Sequence, residues 1–193
     1  MVSLLARSPL ARFAGTKDCA AWTCAAVSVR EQPAQGLVRL QLLHDDEAIR
    51  AAVAAQLGVA LPSPGVLEGN DHLRCAWIAP AEWLWLMADH AAPQIAAALD
   101  AVCGSQGAIT LINDSRICVQ VQGSAARALL AKGSGLDFHP QGFQSGRCTT
   151  TRFAQIAVML ARFDDTPTFN LYADRSQAAY LWRWLLDAAA EFV

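Results

Sequence analysis

Arg116-Ile117-Cys118-Val119-Gln120-Val121-Gln122-Gly123-Ser124-Ala125-Ala126-Arg127-Ala128-Leu129-Leu130-Ala131-Lys132-Gly133 changes its period in the middle. From Arg116 to Gln122 the residues alternate, with Val119 and Val121 on one face, which predicts a strand. Gly123-Ser124 then opens a helix that runs through Lys132 and is stopped by Gly133 and Gly135. Gly123 is expected to permit a tight strand-to-helix entry, and Gly133 and Gly135 to supply positive φ after the helix.

Outward from this step, strands outnumber helices. Towards the C-terminus, Thr149 to Phe163 reads as one longer strand, and Asp164-Asp165-Thr166-Pro167 turns it into a strand from Thr168 to Tyr172. Ser176 to Phe192 is a helix, with Tyr180, Trp184 and Leu185 on a core-facing stripe and Trp182 towards another face. Towards the N-terminus come a strand at Ala108–Ile112 and an Ala-rich helix at Ala91–Cys103, with Pro93 in its first turn. Trp83-Leu84-Trp85-Leu86-Met87 is apolar on both faces, as in a strand buried on two sides or covered by a partner. Before it lie a Pro80-Ala81-Glu82 turn, a strand at Leu73–Ala79 and the Leu61-Pro62-Ser63-Pro64-Gly65 loop. Asp46 to Leu57 repeats apolar residues at spacing four and ends at Gly58, with Asp45 and Asp46 placed to cap and favour the helix dipole. Leu37 to Leu43 and Thr23 to Arg30 are strands, and Pro33 and Gly36 suggest a hairpin-like link between them. Residues 1–20 form a leading arm. Seven or eight strands in antiparallel-looking pairs with about four helices make an α+β sandwich, one domain over 1–193.

A chain of 193 residues is long enough to bury roughly 70% of its unfolded surface, so neither disulfides nor metals are needed for a core. The apolar fraction is 54%, inflated by 38 alanines but also carried by six Trp and seven Phe. Only 17% of residues are charged, which leaves room for apolar surface that another chain covers. The net charge is −2 and only Lys17 and Lys132 are lysines, so the basic stripe that nucleic-acid binding requires is missing. No uncharged apolar run reaches membrane-spanning length, and a cytoplasmic location is expected. The six cysteines contain no C-x-x-C pair, and His72 with Cys75 is too few ligands for zinc.

Reaction motifs are missing as well. Gly133-Ser134-Gly135 lacks the third glycine of a dinucleotide loop and follows a helix, and Ser134 sits in no nucleophile elbow. His44, His72, His90 and His139 are dispersed near element ends. The acid pairs Asp45-Asp46 and Asp164-Asp165 serve a helix cap and a turn. No catalytic, cofactor-binding or metal-ligating residue is assigned.

Several stretches together do resemble a family. The strand–Gly–helix segment with Leu136-Asp137-Phe138-His139-Pro140 is similar to folate-binding aminomethyltransferase-type domains, and its Leu-Ala-Lys-Gly and Leu-Asp-Phe-His-Pro endings resemble sarcosine oxidase gamma subunits. Phe143 to Arg152, including Gly146, Arg147 and Arg152, is similar to the same subunits' Phe-x-x-Gly-x-Cys/Ala-x-x-Thr-Arg run. Arg175-Ser176 leading into Tyr180 to Leu185 resembles their C-terminal helix, with weaker matches at Ser8-Pro9-Leu10 and Ala79 to Leu84. The resemblance implies the fold of the folate-binding aminomethyltransferases. It further implies a non-catalytic gamma subunit that stabilises a four-subunit complex. That complex demethylates sarcosine oxidatively to glycine, passes the carbon to tetrahydrofolate and forms hydrogen peroxide. FAD, FMN, NAD and tetrahydrofolate would lie in partner subunits, alpha, beta and delta, and none in this chain.

The resemblance also places Ala154-Gln155 where the aminomethyltransferases carry an acidic pair on a strand, which counts against transfer chemistry here. The motif residues that could meet a partner are Trp83, Gly123, Lys132, Asp137, Gly146, Arg147, Arg152, Arg175 and Trp182. Each also has a structural use; Arg175, for one, could pair with Asp137 or Asp114. The alternatives are a stand-alone folate-binding aminomethyltransferase-like protein and a homo-oligomer that uses its aromatic surface for self-association.

Overall fold

The computed structural model describes residues 7–14 and 19–193. Of the expected N-terminal arm, positions 1–6 and 15–18 lie outside the described residues; of the rest, Ala11–Ala14 form a short helix (α1) and Leu10 and Ala20 are fully buried.

Eleven strands and five α-helices follow one another among the described residues. The strands β1 (Ala21–Thr23) and β2 (Ser28–Glu31) precede β3 (Gln35–Leu42) and α2 (Glu47–Leu57). Next come β4 (Leu67–Gly69), β5 (Leu73–Ala79), β6 (Glu82–Ala88), α3 (Ala92–Cys103) and β7 (Gly107–Leu111). The C-terminal part holds β8 (Arg116–Gln122), α4 (Ala126–Ala131), β9 (Arg147–Phe153), β10 (Ile156–Arg162), β11 (Thr168–Asp174) and α5 (Ala178–Ala189).

These strands make two antiparallel sheets, one in the order β1-β2-β8-β11-β10-β9 and one in the order β4-β5-β6-β3-β7. The sheets lie back to back, and helices cover both outer faces. Leu37, Ala76, Leu84, Leu86, Cys118, Met159, Ala161 and Tyr172 fill the layer between the sheets. Outside the six-stranded sheet, Leu129 and Leu130 of α4 and Leu181, Trp182 and Leu185 of α5 pack on Val119, Val121, Leu160 and Leu171. Outside the five-stranded sheet, Val53 of α2 and Leu99 of α3 pack on Val38, Leu40, Trp83, Trp85 and Met87. The expected two-sided burial of Trp83 to Met87 is therefore observed: its tryptophans face the helices and its leucines face the other sheet.

Local signals explain several elements. The Asp46 side chain accepts from Ala48 N at 2.7 Å, and Gly58 closes α2 in the left-handed conformation at φ 68°. Gly123 has φ 129°, and a Cβ there would lie 2.4 Å from the Ala26 carbonyl oxygen, so glycine is required where β8 passes into α4.

Other expectations are corrected. The stretch expected as one strand from Thr23 to Arg30 is two, separated by a turn in which Cys24 N donates to Val27 O. β2 and β3 are not a hairpin but enter different sheets. Thr149 to Phe163 is likewise two strands, folded at Ala154-Gln155, whose φ values of 47° and 75° make the two-residue turn that twisted hairpins favour. Those two splits and the unexpected short strand β4 (Leu67–Gly69) raise the strand count from the expected seven or eight to eleven. Gly133 and Gly135 have no positive φ. Gly133 is instead a close-approach site, since a Cβ there would meet the Phe153 ring at 2.6 Å and the Trp184 ring at 2.8 Å. Among the described residues no helix is long and apolar enough to cross a membrane.

Candidate functional site

Three segments far apart in sequence meet at one groove of about 430 Å³. The exit of α4 supplies Lys132 to Gly135, the β9–β10 hairpin supplies Arg152, Ala154 and Gln155, and α5 supplies Tyr180 and Trp184. Small residues after α4 let the chain lie flat on the Phe153 and Trp184 rings, which meet edge to face at 5.0 Å. Ala154 N donates to Gly133 O at 2.8 Å, tying the hairpin tip to the helix exit. That bond helps hold two non-glycine residues in the left-handed region, a strain of about 1–3 kcal/mol each that the surroundings must offset.

The charged side chains that line the groove, Lys132 and Arg152, are both cationic. Arg152 is exposed and donates to the Gln155 side chain at 2.5 Å. Lys132 donates to Ala188 O at 2.8 Å and pairs with Glu191 at 2.7 Å. Ser134 Oγ lies 3.4 Å from Thr151 Oγ1 and has no histidine or carboxylate to activate it. No acidic side chain is among the lining residues. Such a groove offers the Arg152 guanidinium beside an aromatic wall, a setting that suits a carboxylate.

A second cleft, of about 670 Å³, opens between the sheets where β2 crosses to β3. Its floor includes Glu31, Leu37, Cys118 and Tyr172, and its rim Arg7, Asp89, Asp114, Arg116 and Arg175. Glu31 is only 3% exposed and accepts from Ser8 Oγ at 2.5 Å and Ala20 N at 3.0 Å. The Tyr172 hydroxyl donates to Gln35 at 3.0 Å. Burial pushes the Cys118 thiol up to about 12, and burial followed by Cys118 itself holds the Tyr172 phenol well above its usual value. Both groups therefore stay protonated near neutral pH.

Among the described residues no cluster of three or more His, Cys, Asp or Glu could hold a metal ion. Neither cleft has a glycine-rich turn opening a helix towards a phosphate, since Gly133-Ser134-Gly135 leaves a helix instead.

The sequence-derived motif residues are scattered over the molecule. Lys132 and Arg152 meet in the groove, together with Trp184. Arg147 is exposed and bridges to Val66, while Gly146 at φ 69° exchanges main-chain bonds with Leu67 and Arg162. Asp137 closes a local turn by accepting from His139 N at 2.8 Å. Arg175 pairs with neither Asp137 nor Asp114; its guanidinium donates to the Arg7 carbonyl. Trp83 is fully buried and donates from Nε1 to Pro62 O at 3.0 Å. Trp182 is 2% exposed and belongs to the core, whereas Tyr180, expected in the core, is 41% exposed on the groove's rim. Sequence reading missed Gln155, Tyr180 and Trp184 as groove residues. The apolar set Ala178, Leu181, Trp182, Leu185 and Ala189 was the signal available, since it is the helical stripe that leaves Tyr180 outside.

The family model described as "Sarcosine oxidase, gamma subunit family" matches residues 43–191, and so covers both helical faces and the groove. The chain belongs to the sarcosine oxidase gamma subunit family. Among the gamma subunits it resembles, that of Corynebacterium sp. (strain U-96) is 30% identical over 192 residues, 97% of this chain and 92% of that protein. The gamma subunit of Corynebacterium sp. (strain P-1) is 31% identical over 145 residues, 74% of this chain and 70% of that protein. In three dimensions the chain superposes on one from the heterotetrameric sarcosine oxidase of Corynebacterium sp. U-96, solved with pyrrole 2-carboxylate. The TM-score is 0.85 at 28% identity, over 98% of this chain and 97% of that one. The aminomethyltransferase T of the Bartonella henselae glycine cleavage system shares the fold at TM-score 0.60 and 15% identity, over 85% of this chain and 46% of that one. The expected aminomethyltransferase-like α+β architecture is thus observed.

Proposed function

We propose that this chain is the non-catalytic gamma subunit of a heterotetrameric sarcosine oxidase, acting as one domain that stabilises the assembly. The observation that carries the reading is the end-to-end superposition on a chain of such a heterotetramer. In this proposal the alpha, beta and delta subunits complete the complex, FAD, FMN, NAD and tetrahydrofolate reside in those partners, and the isolated chain has no activity. Sarcosine is oxidised to glycine, its carbon passes to tetrahydrofolate, and oxygen is reduced to hydrogen peroxide, all in the cytoplasm.

The reading over a stand-alone folate protein is supported by the motif alignment, which sets Ala154-Gln155 against the aminomethyltransferases' acidic pair; these two residues form a hairpin turn. Of the motif residues, Arg152 is the one we assign to partner contact, because it is exposed in the groove and makes no ion pair among the described residues, whereas Lys132 is already paired with Glu191. Trp83 and Trp182 retain almost no surface to offer and hold the cores instead.

Affinity capture of the tagged chain from its native extract tests the proposal. Three further subunits and a flavin absorbance spectrum in the eluate are expected. A colourless chain alone that binds tetrahydrofolate would overturn it.

A further inference from the structure

The two sheets have four edge strands, and three of them are blunted. β1 and β4 have three residues each, and β4 carries the exposed Glu68. β9 has Arg147 and Arg152, and its start is covered by main-chain bonds from Leu67 N to Gly146 O and from Cys148 N to Gly65 O. Short length, charge and cover are the devices by which proteins keep sheet edges from pairing. β7 has none of them: Gly107-Ala108-Ile109-Thr110-Leu111 has neither charge nor proline, and no charged residue lies between Asp100 and Asp114.

The register shows which main-chain groups of β7 remain available. Leu43 N donates to Gln106 O and Ile112 N to Leu37 O, both at 2.9 Å, at the two ends of the β3–β7 ladder. In an antiparallel ladder, bonded pairs alternate with unbonded ones. The bonded pairs between those ends are therefore Arg39 with Thr110 and Gln41 with Ala108. Gly107, Ile109 and Leu111 turn their N–H and C=O groups away from β3, and no described residue takes them up. Leu111 is 50% exposed and Leu43, beside the other end of the strand, 67%. On one face the exposed Leu111 follows Ile109, which is half-buried against the core under α3; on the other, Ala108 and Thr110 adjoin an Arg39–Glu82–Gln41 cluster already neutralised internally.

We propose that β7 is a docking edge: an extended, uncharged segment of a partner subunit adds to it as a sixth strand, bonded to the outward main-chain groups of Gly107, Ile109 and Leu111. Row-of-donor edges select extended main chain, and the absence of charge along β7 selects a neutral segment. A second copy of this chain is a poorer occupant. Five edge residues fall far short of the roughly 20–30 residues a side that a free-standing interface uses. A subunit already held elsewhere in the complex supplies the strand at high effective concentration. The inference rests on the gamma-subunit reading.

Hydrogen–deuterium exchange of the full chain, alone and in the assembled complex, tests it over residues 105–112. The outward amides of Ile109 and Leu111 are expected to exchange about tenfold or more slowly in the complex. Leu111→Pro removes an outward donor without touching a bond to β3, and should cut recovery of the partners while Leu111→Ala, which keeps the N–H, retains them. Complex recovered with unchanged exchange at these amides overturns the edge alone. Failure of the unaltered chain to recover any partner overturns the subunit reading and the edge with it. Protection that appears in the isolated chain and rises with its concentration overturns the edge in favour of self-pairing.

Discussion

Trp182→Ala and Tyr180→Ala should behave in opposite ways. Trp182 is 2% exposed within a core shared by α5, α4 and the six-stranded sheet. Replacing a buried Trp with Ala removes its transfer free energy and leaves a cavity, together about 3–5 kcal/mol. For a domain of this length each kcal/mol moves Tm by about 2–4 °C, so the expected fall is about 6–20 °C. The lower end applies if Leu181 and Leu185 close on the space. Tyr180, 41% exposed on the groove's rim, should cost no more than about 0.5 kcal/mol, or about 2 °C. The assay is thermal unfolding of each full-length variant by circular dichroism, beside recovery of partner subunits in affinity capture. Trp182→Ala melting within 2 °C of the unaltered chain, with Tyr180→Ala falling by more than 6 °C, would refute the placement of α5.

Arg152→Glu reverses the groove's exposed charge, and should reduce recovery of partner subunits several-fold in a salt-dependent way while Tm stays within about 2 °C; a large Tm loss would mean that Arg152 supports the fold instead. Gly123→Ala must place a Cβ 2.4 Å from a carbonyl oxygen at φ 129°, and should cost about 2–5 kcal/mol, whereas Gly135→Ala meets nothing within 4 Å and should be neutral in the same melts. Asp46→Ala removes the α2 cap and should lower stability by about 1 kcal/mol in urea titration, most of it restored by Asp46→Asn. The folded-state thiols of Cys118 and Cys148 are pushed up to about 12 and about 11 from an ordinary value of 9.0. The unfolded chain therefore releases their protons first, and stability should be full below pH 9 and fall as pH rises from 9 towards 11–12, steepness lessening in Cys118→Ala.

Much of this architecture was legible because local chemistry and tertiary placement agree. Asp46 and Gly58 announce both ends of α2, and the alternation of Trp83 to Met87 already requires two apolar neighbours. Three things were hidden. Ala154-Gln155 has none of the Asn-Gly character that marks a hairpin, because the bond from Ala154 to Gly133, and not local preference, helps hold the turn. α5 has aromatic residues on more than one face, so a stripe through Tyr180 and Trp184 competes with the true one through Leu181, Trp182 and Leu185 until the sheet decides. The groove itself joins residues 132, 152 and 184, whose meeting depends on how β9 and β10 pair and not on any spacing along the chain.

The path of the chain between the sheets sets an order for folding. The five-stranded sheet is complete within residues 35–111, while the six-stranded sheet takes two strands from before that stretch and four from after it. Ser28 pairs with Gln122, so β2 must wait for β8 across the whole intervening sheet. Closing so long a loop is slow relative to local pairing. During synthesis, the inner sheet can form while the β1–β2 ribbon, with Val27 and Val29 uncovered, has no neighbour. A chain halted after residue 112 would hold one finished sheet and a third of the other, with the apolar seam between them open to aggregation.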